Sequence, residues 1–461
     1  GGDRAQTVAA TERLLTDLAA RGYRFPTVSD GLGLPAQSVA PLWVRLRGTA
    51  MRWAQLGGAF LGRLMTLLML IAVSLAGLRL AVQFVCAWWH VRRARRRGHP
   101  RRYFGPVSVI VPAYNEAPSV GDTIRSLQAQ TVLPTEIIVV DDGSTDGTGD
   151  LVEGLGLPRV RVLRQPNAGK AAALNLGVAA AGHDVLVMVD ADTVFERGTL
   201  RALVAPLRHP GVGAVAGNTK VGNRRGLLGR WQHVEYVMGF NLDRRLYDLL
   251  RCMPTVPGAI GAFRRAAVTD AGGVSTATLA EDTDLTLAIG RAGWRVVYGE
   301  DARAWTEAPS SLGALWRQRY RWSYGTMQAA WKHKRAFRHL RDPAERRIAL
   351  VGLPYLVLFQ IVLPLGSLVI DPLAVYGLVF LDPVPVLGFW LGFNLVQIAV
   401  AFYACRLDGE SPRVLWSLPL QQFVYRQLMY LVVTASLVTA LEGRRLPWHH
   451  VERTGDVEIA G

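Results

Sequence analysis

Acidic residues follow three apolar segments of the chain, each at the point where the segment ends. Glu116 comes shortly after the first segment, Asp142 after the second, and Asp190 and Asp192 after a later one. If the segments are strands of one sheet, these carboxylates converge on one edge of it. Asp190 and Asp192 stand one residue apart and repel each other unless a cation lies between them. Mg²⁺ is such a cation, since it prefers oxygen ligands and is commonly shared with substrate phosphates.

An ordinary helix N-cap is the alternative explanation for each acid, because Asp and Ser are preferred at that position. It suits Ser144 and Asp146 well. It suits Asp190 and Asp192 poorly, because two acids so close together after an apolar strand repel each other. The pattern therefore favours a metal site at 190–192.

The elements that must position these residues alternate along residues 106–300. Short β-branched runs predict strands at 107–111, 137–140, 160–163, 185–189 and 214–216, and the stretches 119–130, 170–181 and 198–207 are helical in pattern. This alternation predicts an α/β domain with a mostly parallel, Rossmann-like sheet that binds ligands at the carboxyl ends of its strands. No GxGxxG follows the first strand, so a dinucleotide cofactor is not indicated.

Long apolar runs flank this domain. The chain has 461 residues, half of them apolar, and a net charge of +16, a composition that excludes a disordered chain. Apolar runs at 61–90, 348–370, 384–405 and 416–441 approach or exceed the roughly 20 residues that cross a bilayer. Buried helices of a soluble protein are the alternative. The runs predict a multi-pass membrane protein.

Clusters of basic residues set the predicted orientation. One cluster follows the first apolar run and another precedes the second; they comprise Arg92, Arg93, Arg95, Arg96, Arg97, Arg101 and Arg102, and Arg317, Arg319, Arg321, Lys332, Lys334, Arg335, Arg338 and Arg341. The positive-inside rule then places 92–347 in the cytoplasm and the N-terminus outside. Nucleic-acid binding, the rival explanation of the charge, is not favoured, because the basic residues cluster at span ends. The same rule places the basic tail in the cytoplasm, whereas three spans after the cytoplasmic domain would place it outside; the tail contains Arg444, Arg445, His449, His450 and Arg453. The conflict is removed if 371–381 adds a crossing or if one segment lies in the interface.

Six motifs occur in a fixed order: PAYNE at 112–116, VDDGSTDGT at 140–148, NAGKAAALN at 167–175, DAD at 190–192, EDTDL at 281–285 and QRYRW at 318–322. Together they resemble the processive inverting glycosyltransferases of family 2, which include cellulose, chitin, hyaluronan and poly-N-acetylglucosamine synthases. The tail, to about Gly455, is most similar to the poly-β-1,6-N-acetylglucosamine synthase branch. The resemblance implies a GT-A-like cytoplasmic domain inserted between transmembrane helices.

The resemblance also implies roles for the matching positions on the donor side. Four residues would hold the uridine of a UDP-sugar: Ala113, Tyr114, Glu116 and Asp142. Asp190 would contact the nucleotide, and Asp192 would hold Mg²⁺ or Mn²⁺ on its diphosphate. Lys170 follows a glycine at a helix start, so a substrate contact is predicted there, with a solvated first-turn lysine as the alternative.

On the acceptor side, the resemblance makes Asp282 the general base and places Gln318, Arg321 and Trp322 beside the diphosphate and the acceptor sugar. The chemistry asks for these types independently: a cation and an arginine stabilise the departing diphosphate, and a carboxylate takes the proton of the attacking hydroxyl. Attack opposite the leaving group gives inversion. Only one of Glu281 and Asp282 is expected to point inward, and a capped helix N-terminus is the alternative for 281–284.

Tryptophans around the second apolar run offer faces on which sugar rings stack. Trp305, Trp316, Trp322 and Trp331 lie at or before that run. An interfacial aromatic belt is the competing explanation. We assign Trp316 and Trp331 to the belt and Trp322 to the acceptor.

The first forty residues resemble the closing helix and strand of an extracytoplasmic polysaccharide deacetylase domain. The pattern is helical at 11–18 and extended at 21–30, and none of that family's metal or catalytic motifs is present. The predicted organisation is therefore a remnant of such a domain at 1–40, a linker and first transmembrane helix at 41–91, the glycosyltransferase domain at 92–310, interfacial helices at 311–347, transmembrane helices at 348–441 and a tail at 442–461.

The predicted function is that of an inner-membrane β-glycosyltransferase that polymerises N-acetylglucosamine from UDP-GlcNAc with inversion and exports the chain. The alternatives are a chitin-, hyaluronan- or cellulose-type synthase, a non-processive transferase acting on a lipid carrier, and a catalytically silent scaffold subunit. The partners are the donor, the growing polysaccharide and the bilayer, with a homo-oligomer or a second subunit considered for translocation and no nucleic acid.

Overall fold

The computed structural model describes residues 5–33, 41–97, 103, 105–380, 383–443 and 457. It divides into two compact units, Gly1–Ile71 and Ala72–Gly461. The predictions made for the basic tail, and those for Arg101 and Arg102, lie outside the described residues.

The first unit is helical. It contains α1 (Ala5–Ala20), α2 (Val28–Gly31) and the beginning of α3 (Leu42–Arg97). The helix predicted at 11–18 is present. The extended segment predicted at 21–30 is wrong at its end, because the Thr27 hydroxyl accepts a hydrogen bond from Asp30 N–H at 3.2 Å and starts a helical turn there.

The second unit is built on an eight-stranded sheet in the order β3-β2-β1-β4-β7-β6-β8-β5. Its strands are β1 (Val107–Ala113), β2 (Glu136–Asp141), β3 (Val160–Arg164), β4 (Val185–Met188), β5 (Thr193–Phe195), β6 (Val212–Val221), β7 (Gly261–Arg264) and β8 (Arg295–Thr306). The pairs β1–β2, β1–β4, β2–β3 and β6–β8 are parallel, whereas β7 is antiparallel to β4 and β6, and β5 is antiparallel to β8. The sheet is therefore mixed, with a parallel half where the sequence predicted one.

Helices cover this sheet. They are α4 (Val120–Gln128), α5 (Thr148–Gly154), α6 (Lys170–Ala180), α7 (Thr199–Val204), α8 (Gly226–Glu235), α9 (Asn241–Leu250), α10 (Arg265–Asp270), α11 (Glu281–Arg291) and α12 (Leu312–His333), with a π-helix at Tyr236–Phe240. Alternate residues of β1 enter two hydrophobic clusters: Val109 and Val111 pack in the one that contains α4, and Ile110 packs in the one that contains α6. A Cβ on Gly177 of α6 would collide with the Ile110 side chain, so the small residues of α6 let it approach the sheet closely.

Further helices follow: α13 (Pro343–Arg347), α14 (Leu353–Val357), α15 (Leu363–Phe380), α16 (Pro383–Asp408), α17 (Leu418–Gln421) and α18 (Tyr425–Glu442). Among the described residues, three helical segments are long and apolar enough to cross a membrane: Leu42–Arg93, Pro343–Val379 and Val386–Asp408. The pair Pro412–Gln421 and Tyr425–Glu442, bent by 61°, would make a fourth. Asp371 lies inside the second segment, so residues 371–379 extend that segment.

The last part of α3 contacts the sheet domain. Arg79 lies 2.7 Å from Asp243 of α9, and Gln83 also donates a hydrogen bond to Asp243. His90 lies 3.0 Å from Asp248. The second half of the predicted span at 61–90 therefore packs against the domain, and α3 runs without a break through the predicted boundary at residue 91.

Candidate functional site

One cavity opens at the carboxyl ends of β1, β2 and β4, and every site residue predicted from the sequence lines it. These residues are Ala113, Tyr114, Glu116, Asp142, Lys170, Asp190, Asp192, Asp282, Gln318, Arg321 and Trp322. The parallel strands bring the first seven to one edge of the sheet, and the N-terminus of α11 and one face of α12 close the cavity from the other side.

Asp142, at the end of β2, is held by the loop that precedes α6. Its Oδ1 accepts hydrogen bonds from Ala168 N–H at 2.9 Å and Gln165 Nε2 at 2.6 Å, and its Oδ2 accepts one from Gly169 N–H at 2.8 Å. Gly143 has φ of 78°, and a Cβ there would lie 2.8 Å from Asn167 N, so the loop needs glycine. Besides lining the cavity, Asp142 fixes the loop that delivers Lys170.

The ends of β1 and β2 are locked to each other. Asn115 has a left-handed backbone with φ of 54°, its N–H donates to Ser144 Oγ at 3.0 Å, and its Oδ1 accepts from Thr145 N–H at 2.8 Å. Asp146 accepts the N–H of Thr148 at 3.0 Å at the start of α5. Gly147 is the N-cap of α5, so neither Asp146 nor Ser144 is the cap: Asp146 contacts the first helical residue from one position earlier, and Ser144 holds the neighbouring strand end.

Asp190 and Asp192 both line the cavity, but their surroundings differ. Asp192 is 2% exposed, and its Oδ1 accepts hydrogen bonds from the hydroxyls of Thr193 and Thr306, each at 3.2 Å. Asp190 is more exposed and faces Lys170. In the part of the chain that the structure describes, no three His, Cys, Asp or Glu side chains are grouped as a metal site. The donor set fits a cation that takes one or two carboxylates and completes its coordination with substrate phosphates and water, as Mg²⁺ does.

Lys170 begins α6, directly after Gly169, whose φ is 88°. Its Nζ lies 2.6 Å from Asp190 Oδ1 and 3.1 Å from Glu281 Oε1. Burial alone would lower the pKa of Lys170, but the two carboxylates raise it above its ordinary value, so the side chain is a cation. The alternative of a solvated first-turn lysine is wrong.

Glu281 and Asp282 both line the cavity, which corrects the expectation that only one of them points inward. They are the first two residues of α11, where side chains project around the open end of the helix. Burial, and then repulsion by Glu281, raise the pKa of Asp282 to about 6, against the attraction of Lys170. Asp282 is therefore largely ionised at neutral pH and remains basic enough to accept a proton.

The helix α12 presents Gln318, Arg321 and Trp322 to the cavity and is fastened to the start of α11. A Cβ on Gly325 would lie 2.6 Å from Ala280 N, so the two segments approach closely. At the far end of α12, Lys332 and His333 lie 2.6 and 2.7 Å from the buried carboxylate of Asp284. The proposed base and the QRYRW motif are thus held in one packed block.

Residues 105–325 match the family described as "Glycosyltransferase like family 2". These residues form a family 2 glycosyltransferase domain. They include all six motifs, and the family 2 domain predicted from those motifs is confirmed.

Two curated relatives are similar to the glycosyltransferase domain. The poly-beta-1,6-N-acetyl-D-glucosamine synthase of Staphylococcus aureus is 32% identical over 222 residues, which are 48% of this chain and 54% of that protein. The synthase of the same name from Staphylococcus epidermidis is 30% identical over the same coverage. The chain spans about half the length of the curated relatives it matches.

A solved structure shares the fold. A mannosyltransferase from Pyrobaculum calidifontis, in complex with GDP-Man and Mn²⁺, aligns with a TM-score of 0.55 at 23% identity and covers 82% of this chain and all of its own. The GT-A-like, Rossmann-like fold predicted for the glycosyltransferase domain is therefore confirmed.

The sequence missed several residues that line the cavity of the glycosyltransferase domain, among them Thr219, Tyr236, Phe240, Arg244 and Glu307. They come from β6, the π-helix at Tyr236–Phe240, α9 and the position directly after β8, and none belongs to a motif. The ring centre of Phe240 lies 6.0 Å from that of Trp322, a proximity that arises on folding and leaves no signal in the sequence.

The four tryptophans of the aromatic prediction have separate surroundings. Trp322 lines the cavity. Trp305 is 3% exposed in β8, where its indole N–H donates to Glu196 at 3.1 Å, so it is a core residue of the glycosyltransferase domain. Trp331 is 71% exposed, with Lys334 Nζ 3.0 Å from its ring centre, and Trp316 is half-buried.

Proposed function

We propose that this chain is a membrane-bound processive β-glycosyltransferase that polymerises N-acetylglucosamine from UDP-GlcNAc. The proposal depends on one observation: Asp282 and residues of the QRYRW helix line the same cavity of a family 2 domain as Asp190 and Asp192. The similarity to two poly-beta-1,6-N-acetyl-D-glucosamine synthases supports the choice of donor and product.

The donor binds along the carboxyl edge of the sheet. Its uridine lies against the ends of β1 and β2, whose cavity-lining residues are Ala113, Tyr114, Glu116 and Asp142. Asp190 contacts the nucleotide, and Asp192 holds Mg²⁺ or Mn²⁺. When bound there, the ion neutralises charge that grows on the departing diphosphate. Lys170 and Arg321 also line the cavity and add fixed positive charge to it.

The acceptor enters from the side of α12. Trp322 stacks on its terminal sugar, and Gln318 and Arg321 position it beside the diphosphate. Asp282 takes the proton of the attacking hydroxyl while the new bond forms at the anomeric carbon and the bond to the diphosphate breaks. Because attack comes from the face opposite the leaving UDP, an α-linked donor gives a β-linked product.

The glycosyltransferase domain lies at the cytoplasmic surface of the membrane, since basic residues border the segments that could cross it. Buried ion pairs fasten one of these segments to the domain: Lys220 and Arg245 lie 3.0 and 3.1 Å from Asp408, the last residue of α16, and all three side chains are at most 2% exposed. Because these ion pairs hold α16 against the domain, the path of the growing polysaccharide stays next to the cavity, from which the polymer is exported.

Digestion of the product tests this function. The full chain, purified in detergent, is supplied with radiolabelled UDP-GlcNAc and Mg²⁺ or Mn²⁺. A long product that a β-1,6-specific N-acetylglucosaminidase degrades supports the proposal. Degradation by chitinase would make the chain a chitin-type synthase, and a single sugar on a lipid would make it a non-processive transferase.

A further inference from the structure

The guanidinium of Arg244 is a buried cation that the reaction described so far does not use. It projects from the first turn of α9 into the wall of the cavity, and the residue is only 8% exposed. Its neighbours in the wall include Phe240, whose ring centre lies 5.7 Å from the guanidinium carbon.

Arg244 has few partners for so buried a group. Its Nη1 donates to Gly217 C=O at 3.3 Å and to Asn241 Oδ1 at 3.5 Å, and across the described residues no carboxylate forms an ion pair with it. The adjacent Arg245 provides the contrast, since it lies 3.1 Å from Asp408 and 3.3 Å from Glu300. A guanidinium carries five N–H donors, and leaving them unused when buried is costly. The N–H groups of Arg244 that border the cavity are thus available to donate hydrogen bonds to a ligand.

The position of Arg244 indicates which part of the substrate it meets. Phe240 is in contact with Trp322, the residue expected to stack on the acceptor, at a ring distance of 6.0 Å. The residues expected to hold the uridine come instead from the ends of β1 and β2. Through Phe240, Arg244 therefore belongs to the side of the cavity that Trp322 lines, the acceptor side.

We propose that Arg244 is a substrate-binding residue of the acceptor subsite and donates hydrogen bonds to hydroxyl or amide carbonyl oxygens of the terminal acceptor sugar. This inference rests on the proposed function and adds a contact that no motif in the sequence marks. With this role, the affinity for the acceptor sugar depends on the shape and the N–H groups of the guanidinium, whereas the affinity for the UDP-sugar does not.

The test compares R244K and R244Q with the native protein and with R317K, in which an exposed arginine of α12 next to Gln318 is replaced. A short β-linked N-acetylglucosamine oligosaccharide of defined length is the acceptor. We expect both Arg244 variants to raise its KM by about tenfold or more, the usual effect of losing hydrogen bonds from a charged donor, with UDP affinity within about twofold of native. R317K should behave as native.

Two results would overturn the assignment: an unchanged acceptor KM in R244K, or a parallel loss of UDP affinity, which would place Arg244 on the diphosphate. R244K retains the charge and most of the volume, so it answers the question if R244Q does not fold. A native protein that extends no oligosaccharide would refute the proposed function itself, whereas native extension with unaltered Arg244 variants refutes only this inference.

Discussion

The ammonium group of Lys170 lies 2.6 Å from a carboxylate oxygen of Asp190 and ties the start of α6 to the DAD motif. The same ammonium reaches Glu281 on α11, so one cation links two sides of the cavity. A cation at this position lowers the electrostatic cost of gathering several carboxylates in one buried site.

Replacement of Lys170 by Met should lower the turnover of UDP-GlcNAc and move its pH dependence. Without the ammonium, the pKa of Asp282 loses the charge that opposes its rise, so the acidic limb of the pH profile should shift to higher pH. The profile of kcat/KM measures this shift. Lys334→Met, an exposed lysine beyond α12, is the control and should leave the limb in place. An unmoved limb in the Lys170 variant would argue against an electrostatic influence of this ammonium on the base.

The pH profile of the native chain should itself show an acidic limb near pH 6. Asp282 must be ionised to accept a proton, and burial together with Glu281 raises its pKa to about 6. Turnover should therefore be lost as the pH falls through that value and approach a plateau above it. Steady-state UDP release at constant ionic strength gives the profile. A limb near pH 4, the range of an ordinary carboxylic acid, would contradict a buried base.

Asp284→Asn should weaken the packing between α11, which carries Asp282, and α12. The carboxylate of Asp284 is 1% exposed and pairs with His333 and with the partly exposed Lys332. Loss of its charge weakens both contacts, so the free energy of unfolding should fall by about 1.5–3 kcal/mol, as for hydrogen bonds to charged groups. Sugar transfer should fall while UDP affinity stays, because Asp284 does not line the cavity. Native stability in this variant would show that the contact does not hold the helices.

Gly325→Ala tests the close approach of α12 to the residues before α11. The added Cβ would stand 2.6 Å from Ala280 N, and because that neighbour is backbone, the helices must separate. Overpacking of this kind costs about 1–3 kcal/mol. The matched control is Gly313→Ala in the same helix, where the nearest atom is 3.8 Å away and belongs to a flexible arginine. In thermal unfolding in detergent, Gly325→Ala should melt at a lower temperature than Gly313→Ala. Equal melting temperatures would contradict the close packing at Gly325.

The central strands and the motifs were predictable because their signals are local. Val109, Val111 and Val139 lie in strands buried on both faces, which leaves continuous β-branched runs in the sequence. Acids that follow such runs must meet at one sheet edge. By contrast, β5 has three residues and β7 has four, too few to show a hydrophobic period. Both strands pair antiparallel, in the half of the sheet where strands and helices do not alternate regularly along the sequence.

The other omissions depend on packing between distant segments. Phe240 and Arg244 line the cavity from the π-helix and from α9, and no spacing rule in the sequence connects them to the motifs. Glu281 faces inward because α11 begins at that residue. Lys170 was recognisable as a candidate from its glycine, but only the neighbouring Glu281 and Asp190 decide between a bound cation and a solvated one.

We propose that the carboxylates gathered at one sheet edge, with Asp282 as base, promote transfer of a sugar from UDP-GlcNAc. The measurement that tests it is UDP release by native protein, Asp282→Asn and the control Asp301→Asn, an exposed aspartate in β8, each with UDP affinity determined in parallel. We expect UDP release by the native protein and by Asp301→Asn, release reduced to background in Asp282→Asn, and the same UDP affinity in all three proteins. Sustained release by Asp282→Asn would contradict it.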